Sequence, residues 1–192
     1  DLEVAANRRY AKFTLFMQGG FNGTNIFDKE KSEFSNNAAL NEILDSAQGG
    51  PNGPTISAYK KGIDVMGSKA DADIQLLAVP GIREPVVTNH AITTVENRFD
   101  AMYLMDVQEF DNAGNLITGS VGNINVTNTV SSFKSRALDS SFAAAYFPDL
   151  NLELENGESV QVPPSVAVMG ALGVNDLIGN TWTAPAGVNR TI

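Results

Sequence analysis

Residues 74–107 of the chain are IQLLAVPGIREPVVTNHAITTVENRFDAMYLMDV. This stretch opens with a short and almost continuous apolar run at residues 74–79, which is typical of a buried strand. Pro80 and Gly81 end the run, because both residue types favour a turn over the continuation of a strand. The first part of the stretch therefore predicts a buried strand followed by a turn.

A helix and a second strand are predicted directly downstream. Pro85 stands where proline is favoured, at the first residue of a helix that ends near Arg98. The apolar positions of this helix recur on one face: Val87, Ala91 and Val95. The apolar run at residues 101–105 predicts the next buried strand. Strands joined through a helix pair in parallel, so the stretch predicts a β-α-β unit.

The alternation of helices and strands extends in both directions. Upstream, helical spacing relates Tyr59, Ile63 and Met66. Downstream, a second amphipathic helix is predicted from four apolar positions: Val126, Val130, Phe133 and Ala137. Residues 142–147 predict a third buried strand. The predicted fold class is therefore α/β, with a mainly parallel or mixed sheet flanked by helices.

The N-terminal part of the chain has a different pattern. Residues 9–17 are aromatic and β-prone, and the glycine-rich residues 19–23 predict a turn after this strand. A surface loop at residues 25–35 and a short helix at residues 37–44 are expected next. The glycine- and proline-rich residues 49–54 are the strongest break in the chain. They divide it into a β-rich N-terminal segment, residues 1–48, and an α/β core, residues 49–192.

A β-hairpin is predicted within the later part of that core. From Leu150 to Glu155, leucines alternate strictly with polar residues, and Asn156-Gly157 follows before Val160 and Val162. Asn-Gly between alternating segments is the strongest short hairpin signal. Pro163-Pro164 then opens a predicted helix of small apolar residues at 165–172.

Composition excludes several classes of protein. The chain of 192 residues is 43% hydrophobic and 18% charged, which is too apolar for disorder. Its net charge of −9 repels phosphate backbones, so we expect no nucleic-acid partner. No run approaches the length of a membrane span, and we expect no membrane insertion. The absence of cysteine excludes disulfides, thiolate metal sites and cysteine nucleophiles.

The residues that could carry chemistry do not form a recognisable catalytic set. His90 is the only histidine, and the sequence indicates neither a nucleophile nor an orienting carboxylate for it. We interpret it as an ordinary helical histidine. The glycines at 19–23 lack the lysine and the following helix of a phosphate-binding loop, and no G-x-S-x-G elbow is present.

The acidic residues likewise predict no metal site. Residues 111–115, DNAGN, lack the 12-residue frame of a calcium loop and are interpreted as a solvated turn. Glu153 and Glu155 are expected on the solvent-exposed face of the hairpin. Ligands of an open α/β sheet bind beyond the carboxyl ends of the strands, here at Pro80-Gly81 and after Val107, but the sequence shows no convergent polar set there. We therefore predict no catalytic, cofactor-binding or metal-binding residues.

Several segments of the chain carry a resemblance to one family. Residues 143–150 are AAAYFPDL, residues 162–165 are VPPS and residues 182–187 are WTAPAG. In this order and at about this spacing they resemble the "YYP", "VPPSG" and "W-x-APA" motifs of the tail sheath protein of contractile-tailed bacteriophages. Residues 77–81 and 13–23 are similar to its "vaPG" and "LsGGaDG" segments. Val166, where the family has glycine, and the missing "RGVW" run before Trp182 mark a divergent member.

The resemblance implies a structural protein and not an enzyme. Sheath subunits of this family form stacked six-membered rings around the tail tube, and their contraction drives the tube through the host envelope. The implied partners are other sheath subunits, the tube and the baseplate. The implied location is the tail of the virion, and the host cytoplasm during assembly. The chain is expected to be the central part of a larger subunit, without its N-terminal arm or C-terminal domain, and hence monomeric.

Two alternative hypotheses about function, from other classes of protein, stay open. A small α/β enzyme or nucleotide-binding protein is favoured by the fold pattern alone, and fold alone does not give function. A secreted or surface binding module is the third candidate. Among contractile assemblies, the motifs favour the phage tail over bacteriocin particles and secretion-system sheaths.

Overall fold

The structure, a computed structural model, describes residues 34–118, 123–179 and 182–185. Within these ranges the chain is α/β, and this confirms the predicted fold class. The helices are α1 (Asn36–Leu44), α2 (Pro54–Gly67), α3 (Pro85–Arg98), α4 (Val126–Ser135) and α5 (Pro164–Ile178). The strands are β1 (Leu76–Ala78), β2 (Met102–Asp106), β3 (Ala143–Tyr146), β4 (Leu150–Glu153) and β5 (Ser159–Val162).

The central sheet consists of β1, β2 and β3 in that order, and both pairings are parallel. Leu76 lies opposite Met102, and Tyr103 lies opposite Ala143. Helices α3 and α4 connect these strands, as the β-α-β pattern predicts. Both connections step across the sheet in the same direction, so the right-handed crossover rule places both helices on one face.

The main core lies between that face of the sheet and the helices. Tyr103 and Met105 of β2 are buried there, together with Val87 and Val95 of α3, and Phe133 of α4 packs against the same cluster. Side chains alternate along a strand, so Leu104 and Asp106 point to the opposite face. Helix α5 contacts β1 and β2. Because both faces of β2 are covered, its sequence is a nearly continuous apolar run.

Helix α2 begins at a buried carboxylate supplied by α1. The helix begins at Pro54. Gly53, at the N-cap position, has no side chain that could cap it. The carboxylate of Glu42 accepts hydrogen bonds from the backbone N–H groups of Thr55 and Ile56, at 2.8 Å and 3.1 Å. These amides would otherwise have no partner at the start of a helix. The cap joins α1 to α2, so the described part of residues 1–48 packs into the same core.

The predicted hairpin is confirmed as β4 and β5, which pair antiparallel with Leu152 opposite Val160. The N–H of Leu154 donates to the carbonyl of Glu158, and the N–H of Gly157 donates to the carbonyl of Leu154, both at 2.8 Å. Gly157 has a φ of 80°, a left-handed conformation that favours glycine. The connection is therefore a three-residue loop that ends in the glycine of the Asn-Gly pair.

One predicted helix face is only partly correct. Of its four residues, Phe133 packs against the core, whereas Val126 and Val130 of α4 are exposed and Ala137 lies beyond the end of the helix. The buried residue of α4 is Thr129, whose Oγ1 accepts a hydrogen bond from the N–H of Phe110 at 3.1 Å. This bond turns the Thr129 side of the helix inward and leaves the valines in solvent.

The third strand was predicted to be buried, but β3 is half-buried to exposed, because it is an edge strand of the described sheet. Other predictions differ in their bounds or lie outside the described residues. The short helix expected at 37–44 is α1, and the helix expected at 165–172 extends to Ile178. The strand predicted at residues 9–17, the turn at 19–23 and most of the loop at 25–35 fall outside the described ranges. In the described part of the chain, no helix combines the length and apolar character required to cross a bilayer.

We expect Gly53→Ala to lower the free energy of unfolding by about 1–3 kcal/mol, measured by urea denaturation. A methyl group at this position would lie 2.1 Å from Oε2 of Glu42, so the carboxylate has to leave the two amides that it caps. The backbone itself tolerates alanine, because Gly53 has a φ of −57°.

Gly62→Ala in the same helix is the matched control for this prediction. A Cβ at Gly62 meets no atom within 4 Å, so alanine here should leave stability unchanged or raise it by up to about 1 kcal/mol. Equal stability of the Gly53→Ala variant and the unsubstituted protein would contradict the role assigned to Glu42.

Candidate functional site

Polar side chains converge at the carboxyl edge of the sheet, where Asp106 ends β2. Asp106 is 1% exposed. Its Oδ2 accepts hydrogen bonds from the N–H of Gly81 at 2.9 Å and from Oγ of Ser165 at 2.8 Å, and its Oδ1 accepts one from the N–H of Ser165 at 2.9 Å. One carboxylate therefore joins the turn after β1 to the start of α5. The carboxylate also caps α5, because Pro163 at the N-cap position makes no side-chain hydrogen bond to the helix.

A buried ion cluster lies at the same edge. Arg83 donates through Nη2 to Oδ1 of Asp149, and its Nη1 lies 3.6 Å from Oε2 of Glu109. Asp149 also donates its backbone N–H to Oε1 of Glu109 at 3.1 Å, and its Oδ2 accepts from Nε2 of Gln161 at 3.0 Å. The N–H of Arg83 donates to Oδ1 of Asn36 at 2.8 Å. The cluster thus links the loop after β1 to α1 and to the hairpin.

Glu109 is the electrostatically strained member of this cluster. Burial raises the pKa of its carboxyl group above the ordinary value, and the nearby charges of Asp149 and Asp106 act in the same direction. The guanidinium of Arg83 and the N–H of Asp149 oppose this shift of the pKa. A raised pKa is typical of a general acid. The side chain of Glu109 is nevertheless enclosed by its own internal partners, with only 3% exposed.

Arg136 occupies the opposite face of β2, at the end of α4. Its Nη2 donates to Oγ1 of Thr88 at 2.8 Å and to Oδ1 of Asn89 at 2.6 Å. Burial lowers the pKa of this guanidinium and raises the pKa of the Tyr103 phenol. Among the described residues, Tyr103 Oη and the Nε atoms of Arg136 and Arg83 are buried without a hydrogen-bond partner. Arg136 therefore acts in packing α4 against α3.

His90 does have a carboxylate partner, which the sequence did not indicate. Its Nε2 lies 2.7 Å from Oδ1 of Asp64, so the pair bridges α2 and α3 at the surface. The nearby hydroxyl of Thr94 donates to the backbone carbonyl of His90 at 2.9 Å and is engaged there. His90 and Asp64 are 26 positions apart in the sequence, so no local pattern could show this pair. As the structure places it, the pair is a bridge between two helices.

The loop at residues 111–115 is a turn, as predicted. Oδ1 of Asp111 accepts from the N–H groups of Ala113 and Asn115, both at 2.8 Å. The bond from Asn115 is the main reason that the pKa of Asp111 lies below its ordinary value. Over the described ranges, no three histidine, aspartate or glutamate side chains are grouped so that they could hold a metal ion.

Two apolar faces are exposed on the later part of the fold. The first, the hairpin face, consists of Leu150, Leu152, Leu154 and Val160. The second, the α5 stripe, consists of Val166, Gly170, Gly173, Val174 and Leu177, which recur at helical spacing, with Leu177 88% exposed. Glu153 is exposed on the opposite side of β4, so this strand pair is exposed on both faces, whereas Glu155 lies in the loop of the hairpin.

The position of the carboxyl edge was predicted from the sequence, but the polar residues that meet there were not. The expectation of no convergent polar set at Pro80-Gly81 and after Val107 is wrong, because Asp106, Arg83 and Glu109 meet there. A local signal was a charged residue shortly after each of two apolar runs: Asp106 directly follows residues 101–105, and Arg83 comes four positions after residue 79. Their partners, Asp149 and Ser165, come from distant parts of the sequence. Every carboxylate of this set bonds to the chain itself, and so the arrangement holds segments together.

Comparisons with protein-family models, with curated proteins and with solved structures found no match to this chain.

We expect Asp106→Asn to destabilise the fold by about 3 kcal/mol or more, because an amide cannot accept all three hydrogen bonds and places its NH₂ group against a donor. Ser165→Ala removes only the hydroxyl bond and should cost about 1 kcal/mol. Urea denaturation of both variants measures the difference. Equal and small losses would show that Asp106 is not the common partner.

The difference in the free energy of unfolding between Glu109→Gln and the unsubstituted protein should shift in favour of the variant as the pH rises. A raised pKa means that the folded state holds the proton more tightly than the unfolded state, so the contribution of Glu109 to stability is lost as pH increases above 4.5. Glutamine has no proton to lose. The free energy of unfolding, variant minus unsubstituted protein, should therefore increase between pH 4.5 and about pH 7. A difference that is flat over this range would contradict the strain assigned to Glu109.

Proposed function

We propose that the chain is the folded core of a contractile-tail sheath subunit. One observation carries the proposal: segments that resemble the sheath family meet at the carboxyl edge of the sheet. Gly81 belongs to the "vaPG"-like segment and Ser165 to the "VPPS" segment, and both bond to Asp106. Asp149 of the third segment, AAAYFPDL, is held by Arg83 and Glu109 at the same edge. Segments far apart in sequence therefore share one structural centre.

The chemistry of this centre favours a mechanical role. Its buried carboxylates are bonded to backbone amides and to arginine, which fixes the hairpin and α5 against the sheet. A subunit that transmits force has to move as a nearly rigid body, and cross-linking of distant segments provides that rigidity. The same bonds occupy the lone pairs that a substrate would need.

The exposed apolar faces support assembly with further protein. A helix that is apolar on all sides is normally buried, and α5 has a single charged residue, Asp176. Contiguous apolar patches on soluble proteins mark interaction sites. The hairpin face and the α5 stripe therefore suit contacts between copies of the chain.

In this proposal the protein acts without cofactor, metal or catalytic residue. Copies stack as six-membered rings around the tail tube, between the baseplate and the head end of the tail. The extended lattice is metastable, and contraction to a lattice with better interfaces drives the tube through the host envelope. The proposed location is the virion tail, with assembly in the host cytoplasm.

The proposal predicts that a full-length sheath subunit with this chain as its core, expressed alone, forms hollow striated tubes of uniform width in electron microscopy. Only dispersed particles across a range of salt and protein concentrations would overturn it.

Charge on the α5 stripe should prevent this assembly. Val174→Asp places an unpaired carboxylate in an apolar contact, and we expect at least about a tenfold loss of pelletable tubes, which corresponds to about 1.4 kcal/mol per contact. Thr93→Asp adds the same charge to an exposed position of α3 and is the matched control. Both variants should unfold at the same urea concentration as the unsubstituted protein. Normal tubes from the Val174→Asp variant would remove the α5 stripe from the interface.

A further inference from the structure

An apolar groove of about 310 Å³ lies between α2 and the outer edge of β1. Its walls include Tyr59, Gly62 and Met66 from α2, Leu77 and Ala78 from β1, and Phe34. Gly62 leaves the helix wall low, because a Cβ at this position would meet no atom within 4 Å. The groove is therefore open to solvent and wide enough for side chains from another segment.

The strand beside this groove, β1, has one edge that no other strand of residues 34–118, 123–179 and 182–185 pairs with. The N–H of Met102 donates to the carbonyl of Gln75 at 2.9 Å, and in a parallel pair the residues turned to the neighbouring strand alternate. Leu77 is therefore turned to β2, whereas the backbone groups of Leu76 and Ala78 point away from it. Within the described residues β1 pairs with β2 alone. An unpaired edge beside an apolar groove is suited to the addition of a strand.

We propose that this groove binds residues 10–17 of the same chain as an added strand. The described fold begins at Phe34, whose ring contacts Tyr59 edge-on at 5.8 Å between centroids. Phe34 is itself a wall of the groove and is 70% exposed. Residue 33 is therefore covalently attached to the fold beside the groove. Residues 18–33 can span up to about 50 Å when extended, several times the length of β1, so residues 10–17 reach the strand in either direction.

The side-chain pattern of this segment fits a strand with one buried face. Alternate positions from residue 11 are apolar throughout: Ala11, Phe13, Leu15 and Met17. The intervening positions are Tyr10, Lys12, Thr14 and Phe16, which mix aromatic and polar side chains. A strand has two faces, and only the face of residues 11, 13, 15 and 17 is apolar throughout. This face matches the apolar groove wall. The inference does not depend on the proposed sheath function.

Hydrogen exchange of the two outward amides of β1, those of Leu76 and Ala78, tests the pairing in the full chain. We expect both amides to be protected. Phe13→Asp/Leu15→Asp should accelerate their exchange at least tenfold, whereas Lys12→Asp/Thr14→Asp, which alters the opposite face of the same segment, should not. Unprotected amides, or equal effects of the two double variants, would overturn the proposal.

Cross-linking then decides which copy supplies the strand. The chain has no cysteine, so each introduced pair is the only reactive pair. With a short bismaleimide, Leu15→Cys/Gly62→Cys should form an intramolecular product at least tenfold faster than Leu15→Cys/Thr93→Cys, in which the second cysteine lies on α3. Equal rates would overturn the docking site. A cross-linked dimer would assign the strand to a second copy and overturn the intramolecular assignment.

Discussion

The carboxylate of Asp106 is buried at the end of the central strand, where water cannot solvate its charge. A buried charge is costly unless hydrogen bonds replace its hydration. Three donors do so here, two from Ser165 and one from Gly81, and bonds of this kind are stronger than those between neutral groups. Loss of either of the two donor segments would leave the charge short of partners. If either segment moved away, the buried charge would lose hydrogen bonds at a high free-energy cost. The turn after β1 and the start of α5 are therefore held against β2.

Other buried charges follow the same rule. Glu42 holds the first amides of α2, and Arg98 donates to the carbonyls of Met66 and Ala72, each at 2.6 Å. Arg83 holds Asp149 at the base of the hairpin. In each case a charged side chain from one segment satisfies groups of a segment distant in sequence. Such bonds give a fold its specific arrangement and leave the outer apolar faces available for contacts with other molecules.

The β-α-β unit of residues 74–107 could be predicted from the sequence. The spacing of its apolar residues and the position of Pro85 depend only on neighbouring residues. The hairpin could be predicted for the same reason, since Asn156-Gly157 demands a particular backbone turn. The inward face of α4 could not, because a hydrogen bond from Phe110 to Thr129 outweighs the apolar spacing of Val126 and Val130. The Arg83–Asp149 pair was equally hidden, since 66 residues separate its members.

Asp106 makes the turn after β1 and the helix α5 parts of one cooperative body. Native-state hydrogen exchange of the Gly81 and Ser165 amides tests it most directly, because both donate to this carboxylate. We expect both amides to exchange with the free energy of global unfolding, as core amides do. Exchange of the Ser165 amide at a much lower free energy, with the hairpin and α5 opening while the sheet stays folded, would contradict it.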